Sequence, residues 1–592
     1  MFENIYDYIR FALYGVLIFV AFTLYQHWNQ EHVPPVTTAI NQVQNVPNNP
    51  YIPEISKANT TPVASAQPNT TTTAATDLSS GQIIHVITDV FDLSIDTHGG
   101  NVIEAKLLKY PAVLHSATPF ELLNNNPNTR YIAQSGLLSN VGPDTPAGQA
   151  NYTADNTEYT LPAGQNSLEV QLHWQNDQGL KVTKTYTFIR GSYDILMTYA
   201  VTNGSSQPWS GHRYLQLLRS KTPPENSQGG GLSNLSTFFG AAISTTEKPF
   251  QKITFKQMDQ NNLNLASTDG WLAMLQHYFI TAWVPNGTAE NAQADDNSLL
   301  STFKHYFSTP TPPSSNSVTY NYYSKVLPDS LYAVGLIGPE LQAQPGATIS
   351  SQAKLYTGPE DTEQLQKIAP KLNLTIDYGL LWIFAVPLFW LMQKIYNVVG
   401  NWGWSIVILT IIVKLLFYKL SAKSYRSMSM LKKLQPRIEM LKERFGDDKQ
   451  KFTQATLDLY RQEKVNPMSG CLPIIIQIPV FISLYWVLVE SVQLRQAPFI
   501  LWIHDLSAKD PYYILPLLMG ISFFIQQRLN PPPPDPMQAK MMMLMPIIFT
   551  VLFLKFPAGL MLYWFVNNTL SILQQWYIMR TIGDAKPKKA KA

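Results

Sequence analysis

The chain has 592 residues, of which 45% are hydrophobic and 14% charged, with a formal net charge of only +3. This length predicts at least two domains, and the near-neutral charge gives no case for a direct nucleic-acid partner. The single cysteine, Cys471, cannot form a disulfide within the chain. Residues 29–370 are rich in Asn, Thr, Ser, Gln and Pro, whereas residues 380–580 carry long apolar runs.

An apolar run of 15 residues, Phe11–Tyr25, predicts an N-terminal membrane anchor over residues 1–28. The run is short for a span of about 20 residues. A cleavable signal peptide is the alternative, but bulky residues 25–28 stand where small cleavage-site residues would be needed. Residues 29–80 have many Pro and Thr residues and few aromatic ones, which predicts a disordered tether.

Residues 81–358 carry strand patterns at short spacing. Leu168–Trp174 and Lys181–Phe188 alternate apolar and polar side chains, and Asn203-Gly204 is typical of a hairpin turn. Many short strands in one region predict a large antiparallel β-sandwich. Its seven histidines form no metal-type pair and no nucleophile motif is present, so we predict no enzyme site. A carbohydrate cleft stays an alternative by analogy of fold alone.

Six apolar segments follow and predict a bundle of membrane-spanning helices. The second, fourth and fifth are short for a span, which indicates tilting or a locally thinned bilayer. The segments are Leu380–Val399, Trp404–Leu420, Cys471–Val489, Tyr512–Ile525, Met541–Phe556 and Leu560–Tyr577.

A strongly basic stretch, residues 421–465, separates the second and third segments. Leu431, Leu434, Ile438 and Leu441 recur at spacings of three and four, which predicts an amphipathic helix. A break follows at residues 446–448, so a helical hairpin is expected. Loops rich in Lys and Arg stay cytoplasmic, which places this basic hairpin inside the cell.

The basic tail, residues 581–592, should also lie inside. The second segment must then enter from outside, and residues 400–403 leave little room for a turn after the first. We therefore predict a linker and an amphipathic helix in the outer interface over residues 359–400. Together with the anchor, the five spans of the core, residues 401–580, give six crossings and cytoplasmic termini.

Polar side chains within apolar spans are costly and are candidates for function. Lys414 lies near the cytoplasmic end of the second segment, and Thr410 lies four residues earlier on the same helical face. A polar cavity open to the cytoplasm is one interpretation. Snorkelling of Lys414 to the headgroups is the other, and for Thr410 a hydroxyl bonded to its own helix backbone is favoured.

Three further candidates lie in the third and last segments. Gln477 is a polar residue within the third span, and Tyr563 and Trp564 lie early in the sixth. The alternative for the two aromatic residues is an interfacial belt, because they are close to the outer turn.

The chain carries no P-loop, no nucleophile motif and no metal cluster, which argues against an ATP-driven pump or an intramembrane protease, and we predict no cofactor. Over nearly its whole length, except the tether, it resembles the YidC family of bacterial membrane protein insertases. The stretches that carry the resemblance are Val399-Gly400-Asn401-Trp402-Gly403, Leu494-Arg495-Gln496-Ala497-Pro498-Phe499, Trp502-Ile503-His504-Asp505-Leu506-Ser507, Asp510-Pro511-Tyr512-Tyr513-Ile514-Leu515-Pro516 and Met274-Leu275-Gln276-His277-Tyr278-Phe279.

The resemblance implies a membrane α-helical bundle, with a five-helix core plus the N-terminal anchor, and a large periplasmic β-sandwich domain. It also implies a non-enzymatic insertase and chaperone of the bacterial inner membrane that receives nascent membrane proteins, alone or with the Sec translocon. In the family a positively charged groove opens to the cytoplasm and the lipid bilayer. The groove charge would fall on Lys414, the hydroxyl on Thr410, and the aromatic residues along which a substrate slides on Tyr563 and Trp564.

The basic hairpin and tail would contact the ribosome or targeting factors. The residues expected to do so are Lys432, Lys433, Lys442, Arg444, Lys588 and Lys589. The family usually has Arg at the groove position, and Lys414 keeps the charge without the planar guanidinium. A transporter and a membrane-tethered periplasmic sugar-binding protein remain the alternatives.

Overall fold

The structure is a computed structural model. It describes residues 51–54, 81–146, 148–222, 238–285, 318–445, 448–463, 465, 472–530 and 536–583. The predicted anchor and most of the predicted tether lie outside the described residues, as does the tail from residue 584 onwards, including Lys588 and Lys589.

The region between residues 83 and 359 is a two-sheet β-sandwich. One sheet has the order β14-β17-β18-β11-β5-β3-β2-β1-β7, with β4 paired to β3, and the other has the order β13-β12-β15-β16-β19-β10-β9-β8-β6. The strands are β1 (Ile83–Ile87), β2 (Phe91–Asp96), β3 (Asn101–Pro111), β4 (Pro119–Leu123), β5 (Tyr131–Leu138), β6 (Thr153–Ala154), β7 (Glu158–Thr160), β8 (Ser167–Gln175), β9 (Leu180–Ile189), β10 (Asp194–Asn203), β11 (Trp209–Ser220), β12 (Gly240–Ser244), β13 (Gln251–Ile253), β14 (Asn264–Ser267), β15 (Trp271–Gln276), β16 (Phe279–Val284), β17 (Tyr320–Leu327), β18 (Leu331–Ala343) and β19 (Thr348–Pro359).

The alternation of buried and more exposed residues along the strands shows where the core lies. In β9 and β10 every second residue is buried, because successive side chains point to opposite faces of a sheet. The inward set includes Tyr186, Trp271 and Trp283, each less than 2% exposed. Most strand pairs are antiparallel, and the sandwich prediction is therefore confirmed.

Four residues within the predicted tether are packed rather than disordered. Ile52 is only 4% exposed and contacts Leu138, Tyr214 and Ile337 of the sandwich. The amide of Gln216 donates to the carbonyl of Tyr51 at 3.3 Å. Burial of Ile52 against the sandwich stabilises the position of this short piece on the domain.

Ten α-helices occur in the described residues, and all but the first follow the sandwich. They are α1 (Phe255–Gln260), α2 (Thr362–Ile368), α3 (Trp382–Val399), α4 (Trp402–Leu416), α5 (Tyr418–Phe445), α6 (Lys449–Gln462), α7 (Leu472–Glu490), α8 (Ile514–Leu529), α9 (Pro536–Phe553) and α10 (Ala558–Gly583).

The second apolar segment is not one straight helix. We expected a single span from Trp404 to Leu420, but α4 ends at Leu416 and α5 leaves it at an angle of 68°. Lys414 therefore lies within one turn of a sharp bend rather than well inside a continuous helix.

Length and hydropathy identify few complete spans among the described helices. One helix, Gly379–Val399, is long and apolar enough to cross a membrane, and the bent pair α4–α5 would add a second if it counts as one span. The first is the segment that we expect in the outer interface, so that placement and the six crossings stay predictions. The shorter apolar helices are Ile476–Glu490, Ile514–Leu529 and Lys540–Phe553.

The basic hairpin has the expected helical form. Leu431 and Leu434 of α5 are buried against Val465, as the spacing predicted, and Asp448 caps the first turn of α6. An ion pair of 2.5 Å between Arg437 and Glu463 ties the two helices together.

Charged and polar contacts join the sandwich to the helical bundle. Arg495, in the connection between α7 and α8, donates to the carbonyl of Pro111 at 2.7 Å, and its guanidinium lies 5.6 Å from the rings of Phe120 and Phe279. His277 lies with Nε2 2.6 Å from the carbonyl oxygen of Val489. The sandwich is thus docked on the end of α7 and the connection that follows it.

Docking of the sandwich should weaken as the pH falls from about 6.5 to 4. Burial lowers the pKa of the docked His277 imidazole to about 4, whereas a free imidazole has a pKa of about 6.5. Between these values the undocked state binds more protons, so acid favours undocking by at most about 1.4 kcal/mol per pH unit. Protease sensitivity of the junction measures the change.

The informative quantity is the difference in the pH dependence of protease sensitivity between the native chain and a His277→Gln variant. Glutamine keeps a hydrogen-bond donor at this position but does not titrate. Glu360 at the same junction acts in the opposite direction, because burial and then the charge of Glu490 raise its pKa well above the usual value. His212→Gln, a sandwich histidine bonded to Gly338, is the control. Equal pH profiles for native and His277→Gln chains would contradict the prediction.

Candidate functional site

A buried chain of polar side chains connects three helices of the bundle. Lys414 of α4 is 7% exposed, and its ammonium donates to the hydroxyl of Ser571 at 2.6 Å. Ser571 donates to the carbonyl of Asn567 at 2.7 Å, and the amide of Asn567 donates to Gln477 of α7 at 3.2 Å. We call these four residues the polar cluster.

The spacing of polar residues along α10 explains why the cluster forms there. Asn567, Ser571 and Gln575 follow at intervals of four, so they share one face of the helix. That face is turned inwards, since all three are 9% exposed or less. Gln575 extends the stripe by donating to Asn530 at 3.1 Å, near the end of α8.

Lys414 has no carboxylate partner in an ion pair within the described part of the chain. A buried ammonium bonded to a neutral hydroxyl is poorly compensated, and such a group attracts a negative charge strongly where the dielectric constant is low. An anionic or hydrogen-bonding group placed beside the ammonium would compensate its charge.

Thr410 lies beside this site but does not join the polar cluster. It is 1% exposed, and its hydroxyl donates to the carbonyl of Ile406 at 2.6 Å. This is the backbone bond that we favoured from the sequence.

Tyr563 and Trp564 form a separate aromatic group nearer the start of α10. Tyr563 is 2% exposed, and the ring of Trp564 meets those of Phe481 and Phe553 at 4.4 and 5.2 Å. Eight residues separate Tyr563 from Ser571, which is about 12 Å along a helix. The structure therefore does not bring these aromatic residues and Lys414 into one contact.

The expected partner contacts of the basic hairpin lie on its surface. Their side chains are exposed along α5 and away from the polar cluster, and they are Lys432, Lys433, Lys442 and Arg444. No group of three or more His, Cys, Asp or Glu residues in the described ranges is placed to hold a metal ion.

Sequence reasoning missed Ser571, which receives the Lys414 ammonium. It also missed Ser522 of α8, whose hydroxyl accepts from Asn568 at 3.3 Å. The four-residue interval from Asn567 to Ser571 and Gln575 was the available signal, since one inward face of a span is where polar residues are retained.

Two family models match almost the whole sandwich and bundle. The YidC periplasmic domain matches residues 83–391, and the 60Kd inner membrane protein matches residues 394–586. The chain belongs to the YidC family. The boundary between the two YidC models falls within α3, a little beyond the sandwich itself.

Curated YidC relatives match from end to end. A protein from Stutzerimonas stutzeri, named membrane protein insertase YidC, is 44% identical over 586 residues, covering 98% of this chain and 99% of that protein. One with the same name from Coxiella burnetii is 43% identical, covering 98% and 97%. A crystal structure described as an active YidC insertase with its first transmembrane domain resolved is 19% identical, covers 84% and 93%, and has a TM-score of 0.37.

Proposed function

We propose that this protein is a membrane protein insertase of the bacterial inner membrane, with its sandwich in the periplasm and nascent membrane proteins as its substrates. The names of the full-length relatives and of both family models support this function. The observation that carries the mechanism is the buried Lys414, which has no acidic partner among the described residues. A non-catalytic role follows, because binding and release of a polypeptide need no reacting group.

In the proposed mechanism the polar cluster transiently receives the hydrophilic segment of a nascent chain. Lys414 attracts acidic groups, while Gln477 and Asn567 exchange their mutual hydrogen bond for bonds to the entering backbone. Replacing water by such partners lowers the cost of a polar segment inside the bilayer. The substrate's apolar helix then moves along the aromatic group of Tyr563 and Trp564 into lipid.

The proposed partners are the ribosome, through the exposed lysines and arginines of α5, and the Sec translocon. A chaperone role would use the same contacts. While the polar cluster holds the polar groups of a substrate helix that has not yet packed, incorrect packing of that helix is delayed. The sugar-binding alternative places function in the sandwich, and the transporter alternative needs a small solute in the bundle.

Site-specific photocrosslinking to a stalled nascent membrane protein tests the insertase mechanism. We expect crosslinks from Gln477, which is half-buried in the polar cluster, and none when the substrate lacks its first span. Leu573 of α10 is the matched control, since it is 56% exposed and lies on the helical face opposite Ser571. Equal crosslinking from both positions, in folded protein, would reject a defined path and favour a sandwich-centred function.

The proposed topology makes a separate prediction. A reporter placed within residues 400–403 should read as periplasmic, and one at Asp448, just before α6, as cytoplasmic, because the intervening bent pair would cross once. Labelling of introduced cysteines with an impermeant reagent in intact and lysed cells measures this. A cytoplasmic signal from residues 400–403 would overturn both the six crossings and the interfacial placement of α3.

A further inference from the structure

A groove lies between α2, which leaves the sandwich, and α3, which the proposed topology places in the outer interface. Its volume is about 610 Å³, including the part open to solvent. Only about 50 Å³ of it is enclosed, which holds a few water-sized groups and is too small for a folded partner.

The two walls of the groove carry opposite charges. Glu363 on α2 and Lys394 on α3 are both exposed and both line the groove. Within the described residues neither forms an ion pair. The Lys394 ammonium lies 5.8 Å from the centre of the Trp390 ring, which holds it over the groove wall. A ligand that carries both an anion and a cation fits this arrangement.

The helix α3 presents three distinct faces. Ala385 and Met392, both 0% exposed, pack into the bundle. Trp390, Gln393, Lys394 and Asn397, at helical spacing, face the groove. The third face is apolar and exposed. Its most exposed members are Phe384 at 47% and Val398 at 87%.

An exposed apolar face beside an amphiphilic groove is the arrangement of a helix that lies in the surface of a bilayer. Acyl chains would cover the apolar face, and the groove next to it would lie at the depth of the headgroups. Trp390 at the boundary suits this depth, because tryptophan favours the membrane–water interface.

We propose that the groove binds the head group of a phosphatidylethanolamine molecule from the outer leaflet. Lys394 pairs with the phosphate, Glu363 accepts hydrogen bonds from the primary ammonium, and Gln393 and Asn397 bond the remaining oxygens. Trp390 and Phe389 contact the glycerol and the first methylene groups. The inference rests on the proposed membrane placement of α3, and it adds a specific lipid that fixes the sandwich at the membrane surface.

The charge pattern distinguishes this lipid from others. Phosphatidylglycerol carries an anion alone and leaves Glu363 facing a negative ligand. Phosphatidylcholine carries a quaternary ammonium that has no N–H to donate, so it loses the hydrogen bonds to Glu363. A preference for the primary amine over its methylated form is therefore the signature of the groove.

The test is lipid retention by the purified full-length protein from bilayers of equal phosphatidylethanolamine, phosphatidylcholine and phosphatidylglycerol, measured by native mass spectrometry. We expect retention of one phosphatidylethanolamine molecule. Lys394→Ala and Glu363→Gln should each lower its retention by about tenfold, the usual effect of losing a charged hydrogen bond. Lys367→Ala, on α2 but outside the groove, is the matched control.

Several outcomes would overturn the proposal. They are equal retention of phosphatidylethanolamine and phosphatidylcholine, preferential retention of phosphatidylglycerol, and equal loss in the Lys367→Ala control. Each variant is compared with the native chain in thermal unfolding. If a single change unfolds the junction, the double variant Lys394→Glu with Glu363→Lys replaces it, because it keeps one positive and one negative charge in the groove. Retention needs no substrate, so a protein that retains the lipid but does not insert would reject the proposed function and leave this site standing.

Discussion

Replacement of Lys414 by Ala is expected to lower the insertion of substrates with acidic translocated segments by at least about tenfold. Two opposite charges 4 Å apart attract by about 4 kcal/mol at an effective dielectric constant of 20, and about 1.4 kcal/mol corresponds to a tenfold change. Lys414→Arg should retain most of the activity, because only the positive charge is needed. Insertion into inverted membrane vesicles, followed by protease protection, measures the effect.

The control for the lost charge is Lys419→Ala. Lys419 is exposed on α5, just beyond the bend, and lies outside the polar cluster, so its removal should leave insertion near the native level. Ser571→Ala removes the hydrogen-bond partner but keeps the charge, and should have the smaller effect of the two cluster variants. An Ala substitution at Lys414 that is silent for acidic and neutral substrates alike would reduce this residue to a structural role.

Replacement of Asp510 by Ala is expected to destabilise the bundle by about 1 to 3 kcal/mol or somewhat more. The carboxylate is 1% exposed and accepts from the Trp502 indole at 3.1 Å and from the backbone N–H groups of Tyr512 and Leu515 at 3.0 and 2.7 Å. Removing it leaves the buried N–H of Leu515 without this acceptor, at a cost of about 1–3 kcal/mol. The other two donors are part-buried and add less. The first turn of α8 should loosen, with a lower midpoint of thermal unfolding in detergent.

Asp510→Asn should lie between the native chain and Asp510→Ala, because the amide oxygen keeps part of the acceptor capacity. Asp458→Ala, an exposed aspartate of α6 with only a 3.4 Å contact to Arg461, is the matched control and should change the midpoint little. If Asp510→Ala and Asp458→Ala unfold at the same temperature, the hydrogen bonds of the Asp510 carboxylate do not stabilise the bundle.

Local patterns were sufficient for most of the bundle and for some of the strands. Five of the six apolar runs match one helix to within six residues at each end, whereas the bend after Leu416 divides the second. Alternation predicted β8 and β9, because burial on one face leaves a periodic trace. The same alternation did not reveal the burial of Lys184. It lies on the inward face of β9 at 0% exposure, where three carbonyls accept from its ammonium. Two of these carbonyls, those of Gly99 and Gly100, lie in the turn between β2 and β3, and the third belongs to Ser135 of β5. All three are distant in the sequence, so the pattern of β9 alone does not reveal them.

The candidate site was predictable only in part for the same reason. A lysine in an apolar run stands out, but its partner Ser571 is 157 residues away. The bend beside it could not be predicted either, since residues 416–418 contain neither Pro nor Gly and the break depends on how α4 and α5 pack against α10. The opposite-charge groove between α2 and α3 depends likewise on two helices of different segments coming together.

The contact between Arg495 and Pro111 sets an order of events during synthesis. The two residues are 384 positions apart, which corresponds to about 20 to 80 s of translation at the usual rates. The strands of the sandwich are complete well before Arg495 leaves the ribosome. Each new molecule therefore passes through an interval in which its sandwich is folded but still undocked, and the newest copies of the protein are the ones whose junction is open to proteases.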